Sequence, residues 1–267
     1  MTSVLTLQNV HKTFEAKTPN ENHVLKGIDL KVEKGDFITI IGGNGAGKST
    51  FLNAIAGSLM VDQGTIKIED NDVTNLTTNK RAGLVSRVFQ DTRMGTASRL
   101  TIEENMAIAD RRGHSFGFGR GVNNKQREQF KEALKLLDLG LENRLTAEVG
   151  LLSGGQRQAL TLLMATLKKP KVLLLDEHTA ALDPKTSDMV LKLTEEVIQR
   201  DQLTALMITH DMEQAIQMGN RLLMMDNGRI LIDISGEEKK QLTVQQLLDM
   251  FKKQSGRALN DDALILG

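Results

Sequence analysis

The chain has 267 residues, 40% of them apolar, with 34 Lys plus Arg set against 34 Asp plus Glu and no cysteine. Balanced charge leaves no net field to draw the whole chain onto nucleic acid or an anionic bilayer, and the apolar share is that of a folded globular protein. The missing cysteines exclude disulfides, thiolate nucleophiles and Cys-based zinc or iron-sulfur sites.

The first ten residues lack a basic segment followed by an apolar one, so they do not read as a signal peptide. Val4, Thr6 and Gln8 alternate with Leu5, Leu7 and Asn9, and Ile28, Leu30 and Val32 alternate with Asp29, Lys31 and Glu33. Period-two alternation predicts half-buried strands and an antiparallel opening. Residues 37–41, 172–175 and 204–208 are continuous apolar runs, the pattern of strands buried on both faces of a parallel sheet. Between them, 48–59 and 156–168 carry helical spacing, the latter through Leu160, Leu163, Met164 and Leu167.

Residues 90–150 read as a mostly helical insert, with Phe130, Ala133, Leu134 and Leu137 on one stripe. Residues 221–226 and 229–233 flank Asn227-Gly228, a pair that tolerates the positive φ angles of a type I′ hairpin turn. Strand and helix alternate, so the class is α/β, with one domain over 1–235 and a helical tail over 236–267. In the tail, Thr243 and Gln246 form a capping-box pair ahead of Leu247, Leu248 and Phe251, a face suited to docking back on the body. Residues 256–267 show no period and are expected to be disordered. No apolar run approaches the ~20 residues a membrane-spanning helix needs, so a spanning segment would have to come from another chain.

Gly42-Gly43-Asn44-Gly45-Ala46-Gly47-Lys48-Ser49 satisfies G-x-x-x-x-G-K-[ST] between a buried strand and a helix. The glycines let backbone amides curl round a polyphosphate, the helix start adds positive partial charge, Lys48 neutralises phosphate oxygens, and Ser49 can ligate Mg2+. Thr50 supports the loop. Asp176 and Glu177 end a core strand, where ligands of open α/β sheets bind. Two carboxylates there can divide the work: Asp176 holds magnesium through water or Ser49, and Glu177 polarises an attacking water. Leu152-Ser153-Gly154-Gly155-Gln156 precedes a helix, so Ser153 and the glycine amides can present a second anion-binding N-terminus; by itself the motif is also an ordinary cap.

These three motifs in this order make the chain resemble the ATP-binding-cassette family, whose signature is Leu-Ser-Gly-Gly-Gln. The resemblance spans 4–233. It implies a P-loop NTPase core with a mainly parallel sheet, an N-terminal antiparallel β subdomain and an inserted α-helical subdomain. It also implies ATP and Mg2+ as ligands, Phe14 stacking on adenine, Gln90 as a hinge glutamine sensing magnesium and the attacking water, and His210 contacting the γ-phosphate. Ala181-Leu182-Asp183 resembles the loop that links two half-sites. In the family two cassettes sandwich two ATP molecules, each gripped by one phosphate loop and by the Ser153–Gln156 equivalent of the other copy. One set of motifs here implies pairing with a second copy or with a similar chain, and since no element of the pattern is missing the expectation is a homodimer.

Two positions depart from the family pattern: His178 stands where relatives usually carry proline, and Phe14 where tyrosine is commoner. The implied role is the energising subunit of a membrane importer, peripheral on the cytoplasmic face of the cell membrane. Its implied partners are integral membrane permease subunits and an extracytoplasmic solute-binding protein. The segment 176–183 is similar to cassettes serving branched-chain-amino-acid-like permeases, including a tryptophan or tyrosine uptake group. An exporter or envelope-remodelling motor remains the alternative. A soluble cassette for DNA repair or translation would carry a long coiled coil or a second cassette. The basic stretch 111–127, with Phe116 and Phe118, superficially resembles single-strand nucleic-acid binders but reads better as a solvated loop, so no nucleic-acid partner is expected.

Overall fold

The computed structural model describes residues 3–113 and 121–255. The expectation for 256–267, and the pair Phe116 and Phe118, lie outside them. Two compact units are present, one built from the chain up to residue 81 and from 202 onward, the other from 82–201.

In the first unit, β1 (Ser3–Phe14) and β2 (Asn22–Glu33) run antiparallel, β3 (Phe37–Ile41) is buried at every residue, and helix α1 (Lys48–Ala56) follows. Strands β4 (Gln63–Ile68) and β5 (Asn71–Asp72) complete an antiparallel sheet ordered β2-β1-β4-β5, and a single turn, α2 (Thr78–Arg81), ends the segment. α1 stops three residues short of the expected 59 because Gly57 enters the left-handed region at φ 74°, donating to carbonyls of the last turn.

The second unit holds β6 (Val85–Val88), α3 (Ile102–Asp110), α4 (Asn124–Lys135), α5 (Gly154–Thr166), β7 (Val172–Asp176) and α6 (Pro184–Asp201). β6 and β7 are parallel neighbours. Helices α3, α4 and α5 each start on a capping box, Thr101 with Glu104, Asn123 with Gln126, and Ser153 with Gln156. Polar side chains thus satisfy orphan amides at three helix starts in a short span. Phe130, Leu134 and Leu137 are buried as the stripe predicts.

Within the basic stretch, Arg112 is turned inward, contacting Ser86 Oγ and donating to the Met164 carbonyl at 2.6 Å. Arg127 grips both oxygens of Glu103 at 2.6 and 2.8 Å. These two cations are committed to internal contacts.

The chain then returns to the first unit as β8 (Ala205–Ile208), α7 (Met212–Gln217), β9 (Arg221–Asp226), β10 (Arg229–Ser235), α8 (Gly236–Lys240) and α9 (Val244–Ser255). β3 lies between β8 and β9, parallel to both, and β10 adds an antiparallel edge. The hairpin turns at Asn227 (φ 45°) and Gly228 (φ 77°), as the sequence requires of a type I′ turn. In the tail, Leu247 and Phe251 join a core cluster with Ile41, Met212, Ala215, Leu222, Ile232 and Ile234. Lys239, 2% exposed, donates to the carbonyls of Ile216, Met218 and Gly219 at 2.6, 2.7 and 3.2 Å, closing the end of α7.

The far end of α1 is closed by Arg81, 1% exposed. Its Nη1 donates to Ala54 and Ile55 at 2.7 and 2.8 Å, its Nε to Leu76 at 2.8 Å and its Nη2 to Thr74 at 3.1 Å, all to carbonyl oxygens. Burial pulls its pKa below the usual arginine value. Methionine would keep the stem but orphan those carbonyls, so Arg81→Met is expected to lower unfolding free energy by about 2–3 kcal/mol in urea titrations. A change within about 0.5 kcal/mol would mean that water replaces the guanidinium there.

Candidate nucleotide-binding site

The loop between β3 and α1 is shaped by backbone contacts that only glycine allows. At Gly42 (φ 150°) a Cβ would lie 2.2 Å from the Met225 carbonyl oxygen on neighbouring β9. The chain therefore passes against the sheet edge here and turns back at once, with Ala46 N donating to Gly43 O at 3.2 Å. Gly47 is the N-cap of α1, left-handed at φ 97°, and supplies no side-chain cap. The N-cap thus offers the first turn of α1 no side-chain acceptor, in contrast to the three capped helices of the second unit, and an anion is a suitable partner for a helix start of this kind.

Lys48 is buried, and its Nζ donates to the carbonyls of Gly42 and Gly43 at 2.6 and 3.2 Å, so its ammonium is folded back over the loop. Gly43 is half-buried, Asn44, Gly45 and Ser49 are exposed, Ala46 is buried and Thr50 half-buried. A nest of amides, one ammonium and an adjacent hydroxyl form a donor set that fits a polyphosphate with its divalent cation.

His210 belongs to the same unit. β8 is the parallel neighbour of β3, Ile40 opposite Ile208, and Thr209 N donates to Ile40 O at 3.1 Å. His210 therefore leaves the sheet at the edge where the phosphate loop begins. It is exposed and held between two local caps: Asp211 N donates to Thr209 Oγ1 at 3.1 Å, and Gln214 N to Asp211 Oδ1 at 2.9 Å. Phe14 ends β1, is 39% exposed, and has Lys12 Nζ 5.7 Å from its ring centroid. An accessible aromatic face is what base stacking requires.

The remaining candidates lie in the second unit. β6 and β7 pair with Val88 opposite Leu175, so Phe89-Gln90 and Asp176-Glu177 emerge from adjacent strand ends. Gln90 is exposed; Asp176 and Glu177 are half-buried, and Glu177 sits in the left-handed region at φ 45°. That conformation is uncommon for a residue with a β-carbon and marks a sharp exit from the strand. Arg87, on β6 two residues before Phe89, forms an ion pair with Asp176 Oδ2. The sequence reading missed it. Its signal was a charged residue in the otherwise strand-like Val85-Ser86-Arg87-Val88, in register with β7.

Ser153 and Gln156 are engaged with each other: Gln156 N donates to Ser153 Oγ at 3.3 Å, and Ser153 N to Gln156 Oε1 at 3.2 Å. The cap and the anion-binding reading are compatible, because the hydroxyl accepts one bond and keeps its proton to donate. A Cβ at Gly155 would lie 2.2 Å from Thr186 Cγ2 of α6, so this glycine serves close helix packing, while Gly154 lies beside Leu182. Asp183 Oδ1 accepts from Thr186 N at 3.1 Å and so opens α6.

A family profile described as ABC transporter matches residues 25–180. A tyrosine transport ATP-binding protein of Clostridioides difficile (strain R20291) is 40% identical over 93% of this chain and 99% of its own. An aliphatic sulfonates import ATP-binding protein of Albidiferax ferrireducens is 35% identical over 86% of this chain and 73% of its own. Among solved structures, the dimeric post-hydrolysis state of an ATP-binding cassette bound to ADP and Pi superposes with a TM-score of 0.73 at 28% identity, covering 86% of this chain and 98% of that one.

His178, beside Glu177, is 3% exposed. Thr194 Oγ1 gives its proton to Val190 O at 2.8 Å, so it accepts from His178 Nε2 at 3.0 Å, and the imidazole is the neutral Nε2–H tautomer. Burial pushes its pKa down to about 4. A buried neutral ring at physiological pH packs the turn and supplies no charge to Glu177. Since the unfolded chain takes up this proton near pH 6.5 and the folded one only near 4, the contribution is complete above 6.5 and lost as pH falls toward 4. His178→Leu is expected to remove about 2 kcal/mol of the stability difference between pH 7 and pH 5 seen in wild type. Urea melts at both pH values measure it, and an identical pH slope in the variant would refute the buried neutral ring.

Proposed function

The chain belongs to the ABC transporter family as its ATP-binding, ATP-hydrolysing cassette, and we propose that it drives uptake of an amino acid or related small solute. The observation that carries the ATPase reading is the uncapped start of α1, wrapped by a loop whose approach to β9 excludes any side chain at Gly42. The likeness to relatives named for tyrosine transport and sulfonate import supports the direction.

In this reading the loop from Gly42 to Thr50 binds the phosphates of ATP. Lys48 swings its ammonium from the Gly42 and Gly43 carbonyls to phosphate oxygens, exchanging neutral acceptors for charged ones. Ser49 and Asp176 would hold Mg2+, which would supply positive charge to offset that of the phosphates, and Gln90 would reach the same ion and the attacking water. Glu177 orients that water for in-line attack at the γ-phosphorus and accepts its proton as the bond to ADP breaks, while His210 contacts the γ-phosphate. Phe14 stacks on adenine.

Ser153, Gly154, Gly155 and Gln156 face the ATP of a second copy, the Ser153 hydroxyl donating its remaining proton to a phosphate oxygen. Two copies therefore close on two nucleotides. Among the described residues no helix is long and apolar enough to cross a membrane. The homodimer docks on separate integral permease subunits from the cytoplasmic face, with an extracytoplasmic solute-binding protein delivering the cargo.

Lys48→Ala is expected to abolish ATP binding in calorimetry. Glu177→Gln is expected to bind ATP normally, hydrolyse it at least ~100-fold more slowly and accumulate as a dimer in light scattering; wild-type turnover would remove Glu177 from its role. Ser153→Arg is expected to leave nucleotide affinity of the monomer intact while blocking ATP-driven dimerisation. Uptake of labelled tyrosine into proteoliposomes holding the copurified permease tests the cargo, and ATP-driven efflux would reverse the proposed direction.

A further inference from the structure

The least expected contact in the second unit is Arg87 with Asp176. Both side chains are largely shielded, 14% and 15% exposed, and the guanidinium meets Asp176 Oδ2. The carbon at the centre of the same guanidinium stands 4.8 Å from the centroid of the Phe89 ring. An exposed arginine would range over many rotamers, but this one is fixed by a carboxylate on one side and an aromatic face on the other. Its partner Asp176 is the last residue of β7, where the carboxylate is otherwise free to turn about χ2.

We infer that Arg87 is a positioning residue for the nucleotide's divalent cation: by holding Oδ2 it fixes the Asp176 carboxylate plane and leaves Oδ1 for the metal shell. This rests on the reading of Asp176 as the magnesium carboxylate. The logic is that of the outer partners of metal ligands, which set ligand orientation without touching the ion. Arginine suits the task better than lysine, because a planar guanidinium fixes the direction of the carboxylate while its face lies on the Phe89 ring. The ring belongs to the residue before Gln90, so one cation ties together the two strand ends that carry Asp176 and Gln90.

The test is a metal titration of the intact chain with Mn2+ in place of Mg2+, read by the loss of the free-ion electron paramagnetic resonance signal, in the presence of a non-hydrolysable ATP analogue. Binding of the same analogue in EDTA is measured in parallel by calorimetry. Arg87→Met should weaken Mn2+ binding about 10–100-fold while leaving metal-free analogue affinity within twofold of wild type. Arg87→Lys, which keeps the charge but not the planar fork, should recover only part of the loss and also serves if the methionine variant folds poorly.

Unchanged or tighter Mn2+ binding in both variants would overturn the inference, tighter binding showing that Arg87 competes with the metal. An equal loss of analogue affinity in EDTA would also overturn it, by showing a general structural role. Asp176→Asn separates the two levels. If it leaves Mn2+ affinity intact, the magnesium assignment of Asp176 fails; if it weakens Mn2+ and Arg87→Met does not, only the role of Arg87 fails.

Discussion

The asymmetry of helix α1 governs the first unit. Every α-helix presents unpaired amides at one end and unpaired carbonyls at the other, and a buried terminus must find partners for them. At the carbonyl end the chain answers with a buried guanidinium and a left-handed glycine, both internal. At the amide end it provides no side-chain cap, only a tight backbone curl. That end is solvent-facing at Ser49, where an anion can bind.

Elsewhere caps are present and carry a second use. Ser153 opens α5 with its acceptor lone pair and retains a donor; Asp183 opens α6; Asp211 opens α7 immediately after His210. A residue whose side chain is pinned by its own helix is presented in one orientation, which lowers the entropy lost when a ligand arrives. The cap and ligand readings of Ser153, both open in the sequence, are therefore compatible physically.

Much of this was legible in the residues. The buried runs of β3, β7 and β8, the Asn-Gly hairpin and the tail's capping box all rest on local rules, and each stands close to where period and turn chemistry put it. Helix ends shifted by two or three residues where a glycine or a serine cap decided the terminus, as at Gly57 and Ser153. What could not be read were side chains whose meaning depends on distant partners. Arg81 sits in a polar stretch with no apolar period, and only the return of the chain past Ala54 and Ile55 makes it a cap. Arg87 reads as an ordinary strand residue until β7 brings Asp176 alongside. His178 is a titratable ring next to Glu177 in the sequence, but only its burial against Thr194 of α6 shows that it stays neutral and which nitrogen carries the proton.

The docked tail changes where this polypeptide can be cut. Leu247 and Phe251 cover Ile41, the residue before the phosphate loop, and Met212, two residues after His210, while Lys239 plugs the open end of α7. A recombinant fragment stopped at the close of β10 would expose the apolar patch around Ile41 and Met212 and leave three bare carbonyls at the end of α7, next to Phe37 at the start of β3. Such a product would be expected to precipitate or bind chaperones, and tags or fluorescent fusions are safer appended after Ser255 than substituted for this final stretch.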